Sequence, residues 1–186
     1  MKQKEALRKR MKEKLNDQAI SERRKKSRII QEKLLKQKEF LTSRYVMLYI
    51  SKGTNEVETG AVIKKALKMG KKVVLPTTAR REKMLKPVCL RSLGQGLKKG
   101  PYGIYEPMLS KTKRPVRLKD IDLVIVPGIA FDRHHNRLGR GQGYYDNFLK
   151  RLSGRTSKIG LGFRFQMLKK IPTARHDISL TRVITN

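Results

Sequence analysis

Leu123-Val124-Ile125-Val126-Pro127-Gly128-Ile129-Ala130-Phe131-Asp132 opens with four aliphatic residues in a row and breaks at Pro-Gly. An apolar run without alternation reads as a strand buried on both faces, as in parallel sheets. Just beyond it stands Arg137-Leu138-Gly139-Arg140-Gly141-Gln142-Gly143-Tyr144-Tyr145-Asp146. Alternating glycines let the backbone approach an anion without Cβ clashes and offer N–H donors to it. A helix predicted from about Tyr144 to Leu152 would turn the positive end of its dipole to the same place. Arg137 and Arg140 supply guanidinium forks suited to phosphate or carboxylate. Asp146 is a hard oxygen ligand, placed for Mg²⁺ bridging phosphates. In open α/β sheets ligands bind beyond the carboxyl ends of strands, so strand and loop together predict an anion site there. The loop is not a Walker motif, since no Gly-Lys-Ser/Thr follows, and it sits in the wrong place for a dinucleotide fingerprint.

The rest of the chain supplies a scaffold for that strand. Apolar runs recur at Tyr45–Ile50, Lys72–Pro76, Leu85–Leu90 (with Gly94 and Gly96 behind it), Lys158–Phe163 and Arg182–Thr185. A helix is predicted from Thr59 to Met69, with Gly70 stopping it in the C′ position. Residues 2–15 read as a charged helix with Leu7, Met11 and Leu15 on one stripe. Ser21 is expected to cap a second helix running to about Phe40, giving Ile30, Leu34, Leu35 and Leu41 to the core. These two basic helices are either RNA-binding arms or amphipathic helices packed on a sheet, and their apolar stripes favour packing. The pattern predicts an α/β fold, a single three-layer domain over 1–186 with a mostly parallel central sheet and helices on both faces. Residues 1–41 form its N-terminal helical pair. The polar stretch Leu109 to Lys119 is the expected mobile loop.

The 186 residues carry a formal charge of +31, with a pI near 10.7 and 38% hydrophobic residues. Such a surface attracts polyanions, though the charge is spread along nearly the whole chain. The single Cys89 excludes an internal disulfide framework and suits a reducing compartment; within Pro87-Val88-Cys89-Leu90 it reads as a small buried hydrophobe. His134, His135 and His176 read as loop or structural residues. There is neither an apolar leader nor a run of about 18 apolar residues, so a cytoplasmic protein is expected.

The segments Val126–Asp132 and Arg137–Asp146 together closely resemble the signature of the 5-formyltetrahydrofolate cyclo-ligase family. The resemblance runs nearly end to end. Lys4-Glu5-Ala6-Leu7-Arg8 is similar to its N-terminal Lys-x-x-Leu-Arg element, and Glu56-Val57-Glu58-Thr59 to its acidic segment after a strand. Tyr102-Gly103-Ile104-Tyr105-Glu106-Pro107 resembles its Gly-Ile-x-Glu-Pro turn; Gly162-Phe163-Arg164-Phe165-Gln166, Pro172 and His176-Asp177 resemble its C-terminal portion. The resemblance implies a NagB/RpiA-like fold and ATP-dependent closure of 5-formyltetrahydrofolate to 5,10-methenyltetrahydrofolate, with ADP and phosphate released. ATP phosphorylates the formyl oxygen, N10 attacks and phosphate departs. No enzyme nucleophile is required, which agrees with the absence of a convincing Ser/His/Asp or Cys/His set.

By the same resemblance, Lys4 and Arg8 reach ATP from one face of the first helix, and Arg137, Leu138, Gly139, Arg140, Gly141, Gln142, Gly143, Tyr144 and Tyr145 cradle it. Arg140 to Tyr144 are shared with the folate, with Arg140 and Tyr144 in the catalytic role. Gly53 and Glu58 join the folate site, Glu58 bonding the pterin, and Asp146 and Asp177 hold Mg²⁺. The protein is expected to be a monomer, and its charge suits a polyglutamylated folate. Asn136, Gln142 and Thr181 depart from the family pattern at positions often Gly, Lys or Gly, and Asp; Asn136 is tolerable because Asn enters the left-handed region readily. Competing readings are a basic nucleic-acid-binding protein and a non-catalytic folate- or nucleotide-binding relative. The first would bind RNA or DNA with steep salt dependence, but no RNA-binding motif with interleaved aromatics is present.

Overall fold

The computed structural model describes residues 2–51, 53, 55–79, 81–90, 97–100, 103, 105–107, 116–174 and 177–186. His176, Gly94, Gly96, Tyr102, Ile104 and most of the Leu109–Lys119 stretch lie outside the described residues. In chain order the helices are α1 (Lys2–Asn16), α2 (Ile20–Leu35), α3 (Lys38–Thr42), α4 (Gly60–Lys68) and α5 (Tyr144–Leu149). The strands are β1 (Tyr45–Met47), β2 (Lys72–Ala79), β3 (Met84–Cys89), β4 (Leu97–Lys99), β5 (Tyr105–Pro107), β6 (Leu123–Pro127), β7 (Ala130–Asp132), β8 (Arg137–Leu138), β9 (Ser157–Leu161), β10 (Met167–Leu168) and β11 (Arg182–Ile184).

The main sheet has the order β11-β9-β6-β1-β2-β3, with every pairing parallel except the β2–β3 hairpin. Successive residues of the inner strands turn to opposite sides, and both sides are apolar. Val46, Val73, Leu123, Ile125 and Ile159 face a core completed by Met11 and Leu15 of α1, Ile30 and Leu34 of α2, and Val62 and Ile63 of α4. Met47, Val74, Val124 and Val126 face a second core with Phe131 and with Phe148 and Leu149 of α5. Helices therefore cover both faces of a mostly parallel sheet. The continuous apolar run of β6, fully buried from Leu123 to Val126, is what two covered faces demand.

Boundaries differ from the sequence reading in three places. Ala19, not Ser21, is the N-cap of α2, and it makes no side-chain capping bond. The helix stops at Leu35 because Gln37 is extended (φ −70°, ψ 139°); α3 then restarts the chain at a new angle, which buries Phe40 and leaves Leu41 52% exposed. The last helix ends at Leu149, after which Arg151 and Leu152 bond back three residues in tight turns. Gly70 stops α4 as predicted, with φ 72°. Cys89 is half-buried at the end of the hairpin strand rather than fully buried.

Candidate functional site

From β1 the chain moves to β2 on one side, whereas β6 lies on the other. This reversal leaves a crevice at the carboxyl ends of the strands, where α/β sheets bind ligands. A cavity of about 1000 Å³ occupies it. Tyr49 and Ile50 line it from beyond β1, Pro76 and Thr78 from β2, and Pro127 and Gly128 from the end of β6.

Asp132 sets the path from β6 into the Gly-rich loop. Its carboxylate is fully buried and accepts from the backbone N–H groups of His134, Asn136 and Ile171 and from Asn136 Nδ2, all at 2.9–3.0 Å. Burial alone would raise its pKa, but these hydrogen bonds outweigh burial and hold it below the usual carboxylate value. The left-handed residue of this turn is His135 (φ 61°), not Asn136, whose side chain instead closes the ring onto Asp132.

Arg137 emerges from that turn with a side chain only 4% exposed. Its Nη2 donates to Asp146 Oδ1 at 2.8 Å, and its guanidinium lies 5.8 Å from the Tyr145 ring centroid. A Cβ at Gly139 would come 2.6 Å from Arg137 Nη1, so glycine there keeps the guanidinium in place. Gly141 (φ 102°) and Gly143 (φ 73°, the N-cap of α5) take conformations that L side chains rarely adopt. The helix they lead into has six residues, so the local N–H groups contribute more than its summed dipole.

Helix α1 closes the cavity from the other side. Lys4 Nζ donates to Asp177 Oδ2 at 2.5 Å, and Arg8 Nε to the Gly139 carbonyl at 2.9 Å. Across the mouth, Arg140 Nη2 donates to Asn55 Oδ1 and Glu56 Oε1, each at 2.9 Å. The Glu56 side chain is 8% exposed, and it affects its neighbours. Burial first, then the negative charge of Glu56, raises the pKa of Tyr145 against the lowering effect of Arg137. Burial, Glu56 and Tyr145, in that order, raise Tyr49 well above the ordinary tyrosine value. Both hydroxyls are therefore neutral hydrogen-bonding groups at physiological pH, unsuited to act as bases.

The cavity thus unites Lys4, Arg8, all of Arg137 to Asp146, and Asp177. Two expected residues are elsewhere. Glu58 faces α2, where Arg23 reaches its Oε1 at 3.4 Å and Gln31 bonds its carbonyl; it does not line the cavity. Gly53 is exposed and is also off the cavity wall. Val57 between them is buried in the core; Glu56 lines the cavity, whereas Glu58 turns to α2. Thr181 bonds Lys158 at the β9–β11 edge and has no place in the site. Among the described residues no cluster of three His, Cys, Asp or Glu could cage a metal. Asp146 and Asp177 both line the cavity as hard oxygen donors of the kind Mg²⁺ takes, each paired with a cation, Arg137 and Lys4 respectively.

Comparison with known proteins accords with this geometry. A family model described as the 5-formyltetrahydrofolate cyclo-ligase family matches residues 1–186. The 5-formyltetrahydrofolate cyclo-ligase of Mus musculus is 29% identical over 97% of this chain and 92% of its own. That of Saccharomyces cerevisiae is 32% identical over 76% of this chain and 75% of its own. The 5,10-methenyltetrahydrofolate synthetase of Aquifex aeolicus superposes with a TM-score of 0.85 at 32% identity, covering 98% of this chain and 89% of the other. A Mycoplasma pneumoniae synthetase, 22% identical, shares the fold with a TM-score of 0.77 over 98% of both chains.

Proposed function

Since the chain belongs to the 5-formyltetrahydrofolate cyclo-ligase family, we propose that its cavity binds ATP and 5-formyltetrahydrofolate together and converts them to 5,10-methenyltetrahydrofolate, ADP and phosphate. The formyl oxygen attacks the terminal phosphorus of ATP and ADP leaves. N10 then forms a bond to the formyl carbon, the C–O bond breaks to release phosphate, and the N10 proton is lost. No step needs a protein nucleophile; the residues position the reactants and neutralise charge.

Lys4, Arg8 and the backbone from Arg137 through Leu138, Gly139, Gly141, Gln142 and Gly143 hold the phosphates. Arg140, kept at the mouth by Glu56, stabilises charge on the transferring phosphoryl group. Tyr144 and the neutral Tyr145 donate hydrogen bonds or stack against the substrates. Glu56 takes the substrate-facing place expected of Glu58. Asp146 and Asp177 would hold Mg²⁺, which neutralises phosphate charge when bound. A second depression of about 530 Å³ adjoins the cavity, its four cations Arg8, Lys9, Lys12 and Arg140 outnumbering the carboxylates of Glu5 and Glu13, and would accept the anionic glutamate tail. One chain's residues wall the whole site, so the reading requires only a monomer, with 1–186 acting as one domain. No described helix is long and apolar enough to cross a membrane, and with its single cysteine we place the protein in the cytoplasm.

The observation that carries this reading is the convergence of Lys4, Arg8, the Gly-rich loop, Glu56 and two carboxylates on one cavity. Purified protein mixed with 5-formyltetrahydrofolate and Mg-ATP should develop the methenyl chromophore. A folded preparation that gives no ATP-dependent signal would refute the proposal.

A further inference from the structure

Helix α2 carries two different stripes. Ile30 and Leu34 enter the core, whereas Arg23, Ser27 and Gln31, at i, i+4 and i+8, form a polar row along one face. Arg23 and Ser27 are buried, at 6% and 0% exposure, and Gln31 is half-buried. Buried polar side chains are costly unless they are hydrogen-bonded, and all three of these grip one residue, Glu58. Arg23 Nη2 reaches Glu58 Oε1 at 3.4 Å, Ser27 Oγ accepts from the Glu58 backbone N–H at 3.1 Å, and Gln31 Nε2 donates to the Glu58 carbonyl at 2.6 Å. The flanking residues are tied to the chain just beyond β1. The Tyr49 hydroxyl donates to the Val57 carbonyl at 3.0 Å, and Thr59 Oγ1 to the Tyr49 carbonyl at 2.5 Å. Neither Arg23, Ser27, Gln31 nor Glu58 lines the cavity.

Two residues before Glu58, Glu56 sets its carboxylate on the cavity wall beside Arg140. Residues 55–59 belong to neither helix nor strand, so no ladder of backbone hydrogen bonds fixes them and side chains from packed elements must do so. Resting on the reading that puts the folate against Glu56, we propose that Arg23, Ser27 and Gln31 are positioning residues for the reaction. They anchor Glu58 to α2 and thereby hold the Glu56 carboxylate at the substrate. The two acids of Glu56-Val57-Glu58 then have separate tasks: Glu56 meets the ligand, and Glu58 ties the segment to the scaffold. A misplacement of about 1 Å can cost as much as ~100-fold, so loosening the row is felt at the ligand although none of its members touches it.

The test is a double-mutant cycle on the intact protein. Ser27→Ala takes the acceptor from the Glu58 N–H, and Gln31→Met, close in size, takes the donor from the Glu58 carbonyl. Gln31 is only half-buried, so its variant carries the test should Ser27→Ala fail to fold. Each is made alone and together with Glu56→Gln, and KM is measured for 5-formyltetrahydrofolate and for ATP. Alone, each should raise the folate KM about 5- to 50-fold while the ATP KM stays within about twofold. In the Glu56→Gln background neither should raise the folate KM by more than about twofold further, because the carboxylate that the row positions is gone. An unchanged folate KM in the folded single variants, or parallel rises for both substrates, would overturn the proposal. So would the same fold-rise with and without Glu56→Gln, which marks general loosening rather than positioning. A folate KM that Glu56→Gln itself leaves unchanged would overturn it at its premise, the placement of the folate. A wild type that makes no methenyl product would refute the enzymatic reading and the proposal with it, a result distinct from all of these.

Discussion

Asp132→Asn probes the link between the fold and the loop that carries the site. The substitution keeps shape, so its cost is almost wholly in hydrogen bonding. Oδ1 accepts from the His134 and Asn136 N–H groups, and Oδ2 from Asn136 Nδ2 and the Ile171 N–H. Whichever way the amide is turned, its NH₂ replaces an oxygen that served two donors, and both are left facing another donor. At about 1–3 kcal/mol for each buried unsatisfied group, the loss is roughly 2–6 kcal/mol. For a chain of this size that is a Tm fall on the order of 10 °C, measured by urea and thermal unfolding. The pH dependence has a definite sign. The native carboxyl is held below its unfolded value, so its stabilisation is full above about pH 4, the unfolded carboxyl range, and is lost as pH falls through the native pKa. The gap between wild type and variant should therefore narrow below about pH 4. A loss under about 1 kcal/mol at pH 7, or a gap that widens in acid, would refute the reasoning.

Other consequences are open to simpler checks. Asp146→Asn removes a carboxylate from the cavity and frees Arg137; the rate should fall at least ~100-fold and the Mg²⁺ concentration for half-maximal rate should rise, whereas an unchanged Mg²⁺ titration would remove Asp146 from the metal site. Gly160→Ala places a Cβ 2.6 Å from the Phe131 ring and 2.8 Å from Leu180; overpacking of about 1–3 kcal/mol should appear in urea unfolding, and a neutral result would show that Phe131 can shift. Folates with longer glutamate tails should bind more tightly through the depression lined by Lys9 and Lys12, with an advantage that shrinks as salt is raised. Tail-independent affinity at low salt would count against that depression as the tail site.

Much of the architecture was legible because local pattern and burial coincide. The run Leu123–Val126 is apolar on consecutive positions, and both its faces are covered. Gly70 had one reading and took it. The loop from Arg137 to Asp146, whose glycines, arginines and strand context occur in order, lies on the wall of the cavity at the strand ends, where the sequence led one to look. What escaped depends on direction rather than identity. Glu56 and Glu58 are equivalent in sequence, and only the fold sets Glu56 on the cavity wall and turns Glu58 to Arg23 of α2. Nothing in residues 21–40 marks a helix stop in the sequence; the break at Gln37 accompanies the burial of Phe40 in the core.

The central claim is that ATP activates the formyl oxygen in this cavity. It is tested most directly by supplying 5-formyltetrahydrofolate with heavy oxygen in the formyl group and analysing the released phosphate by mass spectrometry. The account predicts one labelled oxygen in each phosphate, formed together with ADP and the methenyl product. Unlabelled phosphate accompanying product would contradict it.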